Sequence, residues 1–176
     1  MEGHLTKKGE EEREFKELAV YELLDDLGIS YTRLDHEAVY TIEGCDEIGG
    51  LLGVKLCKNL FLCNSQRTKF YLLMMPGDKR FVTREFCRQI QSPRLSFAPP
   101  EYMEQFLNIT PGSVSVMGLM NDTENRVQLV IDRQVLEMEY IGCHPCVNTS
   151  SIRLSTKDLA EKFLPRVKHD YWTVEL

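Results

Sequence analysis

The chain has no apolar run that approaches the length of a membrane span. Its densest apolar stretch, Leu60-Phe61-Leu62-Cys63, is therefore expected in a core. It also lacks repeats, low-complexity tracts and linker-like composition. No Ser-His-Asp order or G-x-S-x-G elbow is present, and neither is a phosphate-loop or dinucleotide glycine pattern. These absences leave no signature of the common hydrolase triads or of the Walker and Rossmann nucleotide sites. Met1-Glu2-Gly3-His4 leads into charge rather than an apolar signal segment, so a cytoplasmic protein with no membrane association is expected.

At 176 residues, 43% hydrophobic and 27% charged, the chain can bury a sizeable core as one domain. Residues 1–10 are expected as a flexible N-terminal tail and 11–176 as the domain. The net charge of −6 argues against non-specific nucleic-acid binding. Positive charge nonetheless gathers in the middle third, at Arg67, Lys69, Lys79, Arg80, Arg84, Arg88 and Arg94, while acids collect at Glu10–Glu14 and Asp122–Glu124. The six cysteines are expected as reduced, partly buried thiols.

Apolar periodicity predicts a helix over Glu11–Leu27 with Phe15, Leu18, Ala19, Leu23 and Leu27 inward, capped by Gly28. A short strand over Ile29–Leu34 and a helix over Ile42–Leu51 follow, then a hairpin of Leu60–Cys63 with Phe70–Met75. Thr83 is a candidate cap for a helix over Arg84–Gln91. A strand over Leu95–Ala98 and a helix over Glu101–Leu107, opened by Pro99-Pro100, come next. Strands over Val127–Ile131, Glu139–Cys143 and Ser150–Leu154 precede a helix capped by Ser155 and stopped by Pro165, and Tyr171–Val174 closes the chain. Strands and helices mix without strict alternation, which predicts an α/β or α+β domain with a mixed sheet.

The stretch Thr110–Asp122 is rich in glycine and short hydroxyls. Gly112 and Gly118 bracket residues whose backbone N–H groups could hold a charged oxygen. The alternative is a plain connection burying Val114, Val116 and Leu119. Cys143-His144-Pro145-Cys146 resembles a redox pair, but a turn-like segment follows it where a helix N-terminus would be needed to lower the thiol pKa. No second Cys/His pair completes a zinc site. His144 is better read as structural, and Lys58, at the mouth of the most apolar strand, can serve a phosphate or an oxyanion or simply the solvent. His36 and Thr41 can line the same cleft.

Taken in order, Lys58-Asn59-Leu60-Phe61-Leu62, Thr110-Pro111-Gly112-Ser113-Val114-Ser115, Gly118-Leu119 with Asn121-Asp122, and His144-Pro145…Asn148…Ser151 resemble the YbaK/prolyl-tRNA-synthetase-associated domain family, nearest its free-standing alanyl-tRNA(Pro) deacylases. The resemblance spans about Glu14 to Val174. It implies a single editing domain with a mixed, curved β-sheet flanked by helices, and a trans-editing hydrolase that removes alanine from mischarged tRNA(Pro). Aminoacyl-tRNA is then the substrate and prolyl-tRNA synthetase a transient partner. Neither a cofactor nor a metal is implied. Lys58 and Gly112 would act in catalysis, with the substrate's own ribose hydroxyl assisting. His36, Thr41, Asn59, Ser113, Val114, Ser115, Val116, Gly118, Asn121, Asp122 and His144 would bind or shape the substrate site. The family's loop usually runs Gly-x-x-x-Pro, and Val116 stands at its last position here. Two further readings follow from that departure. One is a deacylase for another small residue, such as cysteinyl-tRNA(Pro); the other is a non-catalytic module that senses an amino acid or aminoacyl-tRNA.

Overall fold

The computed structural model describes residues 5–176, so the first four positions of the expected tail lie outside it. Along the chain run α1 (Phe15–Asp26), β1 (Tyr31–Asp35), α2 (Ile42–Leu52), β2 (Cys57–Cys63), β3 (Phe70–Pro76), α3 (Thr83–Gln89), β4 (Ser96–Phe97) and α4 (Pro100–Leu107). Then come β5 (Val127–Asp132), α5 (Arg133–Leu136), β6 (Tyr140–Cys143), β7 (Ser150–Ser155), α6 (Thr156–Asp158), α7 (Leu164–Arg166) and β8 (Tyr171–Val174). Among the described residues no helix is long and apolar enough to cross a membrane.

The expected mixed sheet is present, with order β4-β2-β3-β5-β8, and a separate three-stranded sheet, β1-β7-β6, packs beside it. β2 and β3 form the predicted antiparallel hairpin, with Lys58 opposite Met75 and Cys63 opposite Phe70. β3, β5 and β8 run parallel. One parallel bridge, Leu56 to Gly142, joins the two sheets.

Every residue of β3 is buried, as a strand covered on both faces requires. On one face Phe61, Phe70, Leu72, Met74, Leu129 and Ile131 meet α1, α4 and the small sheet. On the other, Leu62, Leu73, Met75 and Val130 meet Phe86 and Cys87 of α3.

Local departures from the sequence expectation have physical causes. Helix α1 starts at Phe15, after a tight turn at Glu10–Glu12, and Phe15 is 93% exposed. The helix instead turns Glu17, Val20, Tyr21, Leu23 and Leu24 inward, because Glu17 finds partners there. Thr83 is inside α3 rather than its cap, which is Val82. Pro165 does not stop the last helix. A π turn at Leu159–Phe163 widens the spiral, and proline then enters the final turn at a position where no N–H is required.

The stretch from residue 5 to residue 13, part of it expected to be flexible, makes specific contacts. Leu5 bridges His36, and the Thr6 N–H donates to Asp35. Lys8 Nζ donates to Thr149, and its backbone N–H to Asp35. Behind it, Arg13 Nη1 donates to Glu17 at 2.6 Å and Nη2 to Asp35 at 2.8 Å, and Tyr21 donates to Glu17. Burial alone pushes the Glu17 carboxyl up, but the Tyr21 and Arg13 hydrogen bonds outweigh it and hold it below its usual range. For Asp35, burial is likewise outweighed, by Arg13 and Ser150. Both carboxylates thus have depressed folded-state pKa values. Their stabilisation is present above about pH 4 and fades as pH falls further. Arg13→Ala removes the strongest charged partner of the buried Glu17 and the partly buried Asp35, leaving them Tyr21, Lys8 and Ser150, and is expected to cost about 3 kcal/mol at pH 7. Urea melts check this, and the gap from wild type should narrow as pH is lowered through 4.

Candidate functional site

Between the start of α2, the start of β2 and the turn after β3 lies a cleft of about 460 Å³. Val39, Tyr40, Thr41, Ile42, Cys45, Leu56, Cys57, Lys58, Gly77 and Asp78 contribute to its walls. Two sequence-predicted residues, Thr41 and Lys58, face each other across it. Thr41 also starts α2, where its Oγ1 accepts the Gly44 N–H at 3.1 Å.

Lys58 is held by a relay. Its Nζ donates to the Lys79 carbonyl at 2.8 Å. The Lys79 ammonium in turn binds the buried Asp132 carboxylate at 2.8 Å, and Asp132 caps α5. One of three ammonium donors on Lys58 is thereby used, which leaves two for a ligand oxygen. At the rim, Lys55 pairs with Asp78 at 2.8 Å.

The glycine loop reaches this cleft through Tyr40. A Cβ on Gly112 would lie 3.5 Å from the Tyr40 ring and 3.5 Å from the Asn148 amide, and that amide donates to the Tyr40 hydroxyl at 3.2 Å. Gly112 has φ +89°, a backbone state open chiefly to glycine. Beyond it the loop is more ordered than an open glycine loop, because Val116–Asn121 wind into a 3₁₀ helix. Ser115 caps that helix, accepting the Met117 N–H. Ser113 N–H donates back to Thr110 and Gly118 N–H to Ser115. The N–H groups at the helix start, near Ser115 and Val116, have no intrahelical acceptor. Ser113, Ser115 and Val116 are buried, whereas Val114 is only partly so.

The remaining candidates sit in scaffold contacts. His36 is 1% exposed; its Nδ1–H donates to the Glu37 carbonyl and its Nε2 accepts from the Ser151 hydroxyl at 2.8 Å. His144 donates from Nδ1 to the Ser150 carbonyl at 3.0 Å, and burial lowers its pKa, which keeps the ring neutral. The two rings lie 6.3 Å apart. Asn59 packs on the far face of β2 from Lys58, with its amide directed to the Cys57 carbonyl. Gly118 fits against Ile109 and Leu107, Asn121 donates to the Leu107 carbonyl at 2.9 Å, and Asp122 accepts from Arg126, Val127 and His169. Tyr40, Cys45, Gly77 and Asp78 escaped the sequence reading as site residues. Tyr40 was legible in principle, one position before the residue that caps α2.

Cys143 and Cys146 are free buried thiols, and Cys57 lies beside Cys143. Burial pushes Cys57 and Cys146 up to about 12 and Cys143 higher still. That is opposite to the activation a redox pair needs. Among the described residues no group of three or more metal-ligating side chains exists.

The profile of the aminoacyl-tRNA editing domain matches residues 36–162, which run from His36 through the cleft, the glycine loop and the small sheet. The chain belongs to the aminoacyl-tRNA editing domain family. This editing domain is 32% identical over 158 residues to the prolyl-tRNA editing protein ProX of Acetoanaerobium sticklandii, covering 90% of this chain and 96% of the relative. It is 30% identical over 151 residues to prolyl-tRNA synthetase associated domain-containing protein 1 of Danio rerio, covering 84% and 80%. A solved structure described as a candidate trans-editing enzyme for prolyl-tRNA synthetase shares the fold, with TM-score 0.66 at 14% identity over 93% of this chain and 99% of that one.

At pH 8 a thiol of pKa about 12 is thiolate to only about one part in 10⁴. Iodoacetamide should therefore modify Cys57, Cys143 and Cys146 of the folded editing domain at least about a hundredfold more slowly than in urea. Mass mapping of the labelled peptides checks it, and equal rates would return the Cys-His-Pro-Cys segment to consideration as a redox pair.

Proposed function

We propose that this editing domain hydrolyses the ester of alanyl-tRNA(Pro), with the Tyr40–Lys58 cleft receiving the aminoacyl end. The observation that carries this reading is Lys58. It is the lysine of the family-like Lys-Asn segment, and it stands in an open cleft with two unspent donors. Membership of the editing family and the ProX relative support the substrate class.

The chemistry needs little from the protein. A water oxygen attacks the aminoacyl carbonyl carbon, and negative charge develops on the carbonyl oxygen. Collapse expels the terminal ribose oxygen, which takes up a proton and leaves free alanine and tRNA(Pro). The substrate's neighbouring ribose hydroxyl assists the water, in keeping with a cleft whose walls offer no activated thiol or histidine pair. Lys58 stabilises the developing charge or anchors the terminal phosphate, with a compact ammonium suited to either. Thr41, Tyr40 and the Gly112–Val116 loop shape the pocket and hold the acyl group. His36, Asn59, Gly118, Asn121, Asp122 and His144 act at one remove, by fixing the strands and turns that carry those residues.

Editing is needed because a synthetase pocket made for proline rejects a smaller amino acid by only about 1–3 kcal/mol per methylene. A second site that admits alanine and refuses proline supplies the rest. Such a site works where tRNA is charged, in the cytoplasm, beside prolyl-tRNA synthetase.

The test is single-turnover deacylation of alanyl-, cysteinyl- and prolyl-tRNA(Pro). Release of alanine with proline spared supports the reading. Preference for cysteine transfers it to a sister specificity, and binding without hydrolysis of any of the three replaces it with a sensor. Lys58→Ala is expected to slow alanine release about 10²–10³-fold with an unchanged melting curve. A near-wild-type rate would remove Lys58 from the mechanism.

A further inference from the structure

At the opposite edge of the large sheet lies a second cleft, of about 420 Å³. It forms where the parallel strands β3, β5 and β8 begin, and three loops meet there. Lys69 comes from the β2–β3 hairpin, Arg126 from the turn before β5, and Lys168 from the turn before β8. Three cations thus face a cleft where, among the described residues, Asp170 is the one lining carboxylate, in a chain of net charge −6. Among the described residues none of the three is within ion-pair distance of a carboxylate.

The loops are built to hold these positions. Asn64 Oδ1 accepts the N–H groups of Thr68 and Lys69. The Arg126 guanidinium stands 4.8 Å over the Phe106 ring. Asp122 accepts the N–H groups of Arg126 and Val127 and binds His169 Nε2 at 2.9 Å, and so ties the second loop to the third. Asn125 and Lys168 both sit at left-handed φ, +53° and +58°. For a lysine that is an unfavoured state, and it is kept here by the surrounding turn. Between the cations the sheet surface offers Gln128 and the half-exposed Trp172, whose ring lies 6.2 Å from Tyr71.

We propose that this cleft binds the sugar-phosphate backbone of RNA, gripping the tRNA at a point removed from its aminoacyl end. Fixed, unpaired cations around an exposed aromatic match a polyanionic strand with stacking surfaces. The spacing also fits. Lys58 pairs with Met75, and Lys69 precedes Phe70, so the two sites are separated by about six residues of strand, or roughly 20 Å. About six nucleotides of one strand span that length. The tRNA identity rests on the editing function proposed above, whereas the RNA chemistry does not.

Trp172 is the chain's one tryptophan, so its fluorescence reports on this cleft alone. Uncharged tRNA(Pro) is titrated into wild type, Lys69→Gln/Lys168→Gln and the control Trp172→Phe over a range of salt concentrations, with binding also read by filter retention. Wild type should show saturable quenching. The double variant should bind about tenfold more weakly, and its log–log salt slope should be smaller by roughly 1.4–1.8, the share of two phosphate contacts. Its hydrolysis of alanyl-adenosine, too short to reach the second cleft, should stay within twofold of wild type. Unchanged affinity and slope in the double variant would overturn the proposal even where editing is active. Lysine-dependent binding by a protein that deacylates nothing would sustain the cleft and remove the editing reading instead.

Discussion

The arrangement depends on how closely residues 54–56 are threaded past two glycines. A Cβ on Gly77 would stand 2.3 Å from the Leu56 carbonyl oxygen, and one on Gly142 would stand 2.7 Å from the Leu56 side chain and 2.9 Å from that of Val54. At Gly77 a side chain would displace the strand, and at Gly142 it would force the Leu56 and Val54 side chains to move. The contact with Gly142 is also the bridge that couples the two sheets. It aligns Cys57 beside Cys143, and Lys58 then follows in fixed register opposite Met75. The cleft is the gap left where that junction meets the first turn of α2.

Charge is handled in two different ways around this frame. In the relay from Asp132 through Lys79 to Lys58, a buried carboxylate fixes a loop whose carbonyl then orients the ammonium of the cleft. In the network of Arg13, Glu17 and Asp35, charge is paired inside the protein and braces α1 against β1 and β7. The histidines follow the second pattern. His36 spends both ring nitrogens, on Ser151 and the Glu37 carbonyl, and His144 spends Nδ1 on the Ser150 carbonyl, so the two rings brace the segment around Ser150.

The hairpin of β2 and β3 was legible because its strands are continuous apolar runs, and the caps at Gly28 and Ser155 because their local chemistry is specific. What stayed hidden was set by tertiary contacts. A helical pattern drew Phe15 inward, but Arg13 and Tyr21 make a buried Glu17 more favourable. The small-residue stretch predicted an open loop, yet Ser115 caps a 3₁₀ turn there. Of the cleft, Lys58 and Thr41 could be named from the sequence and its resemblance to a family. Tyr40, Gly77 and Asp78 belong to the cleft only because β3 ends beside the start of α2, a proximity that no local pattern encodes.

In the proposed mechanism the aminoacyl end occupies the cleft lined by Thr41 and Lys58. A stable analogue in which an amide replaces the ester, alanine joined to 3′-amino-3′-deoxyadenosine, can be titrated into isotopically labelled protein and followed by amide NMR shifts. Saturable shifts centred on Tyr40, Thr41, Lys58 and Gly112–Val116 are expected. Shifts centred instead on the surface cleft around Glu85, Arg88 and Arg133, with the Lys58 region unmoved, would contradict it.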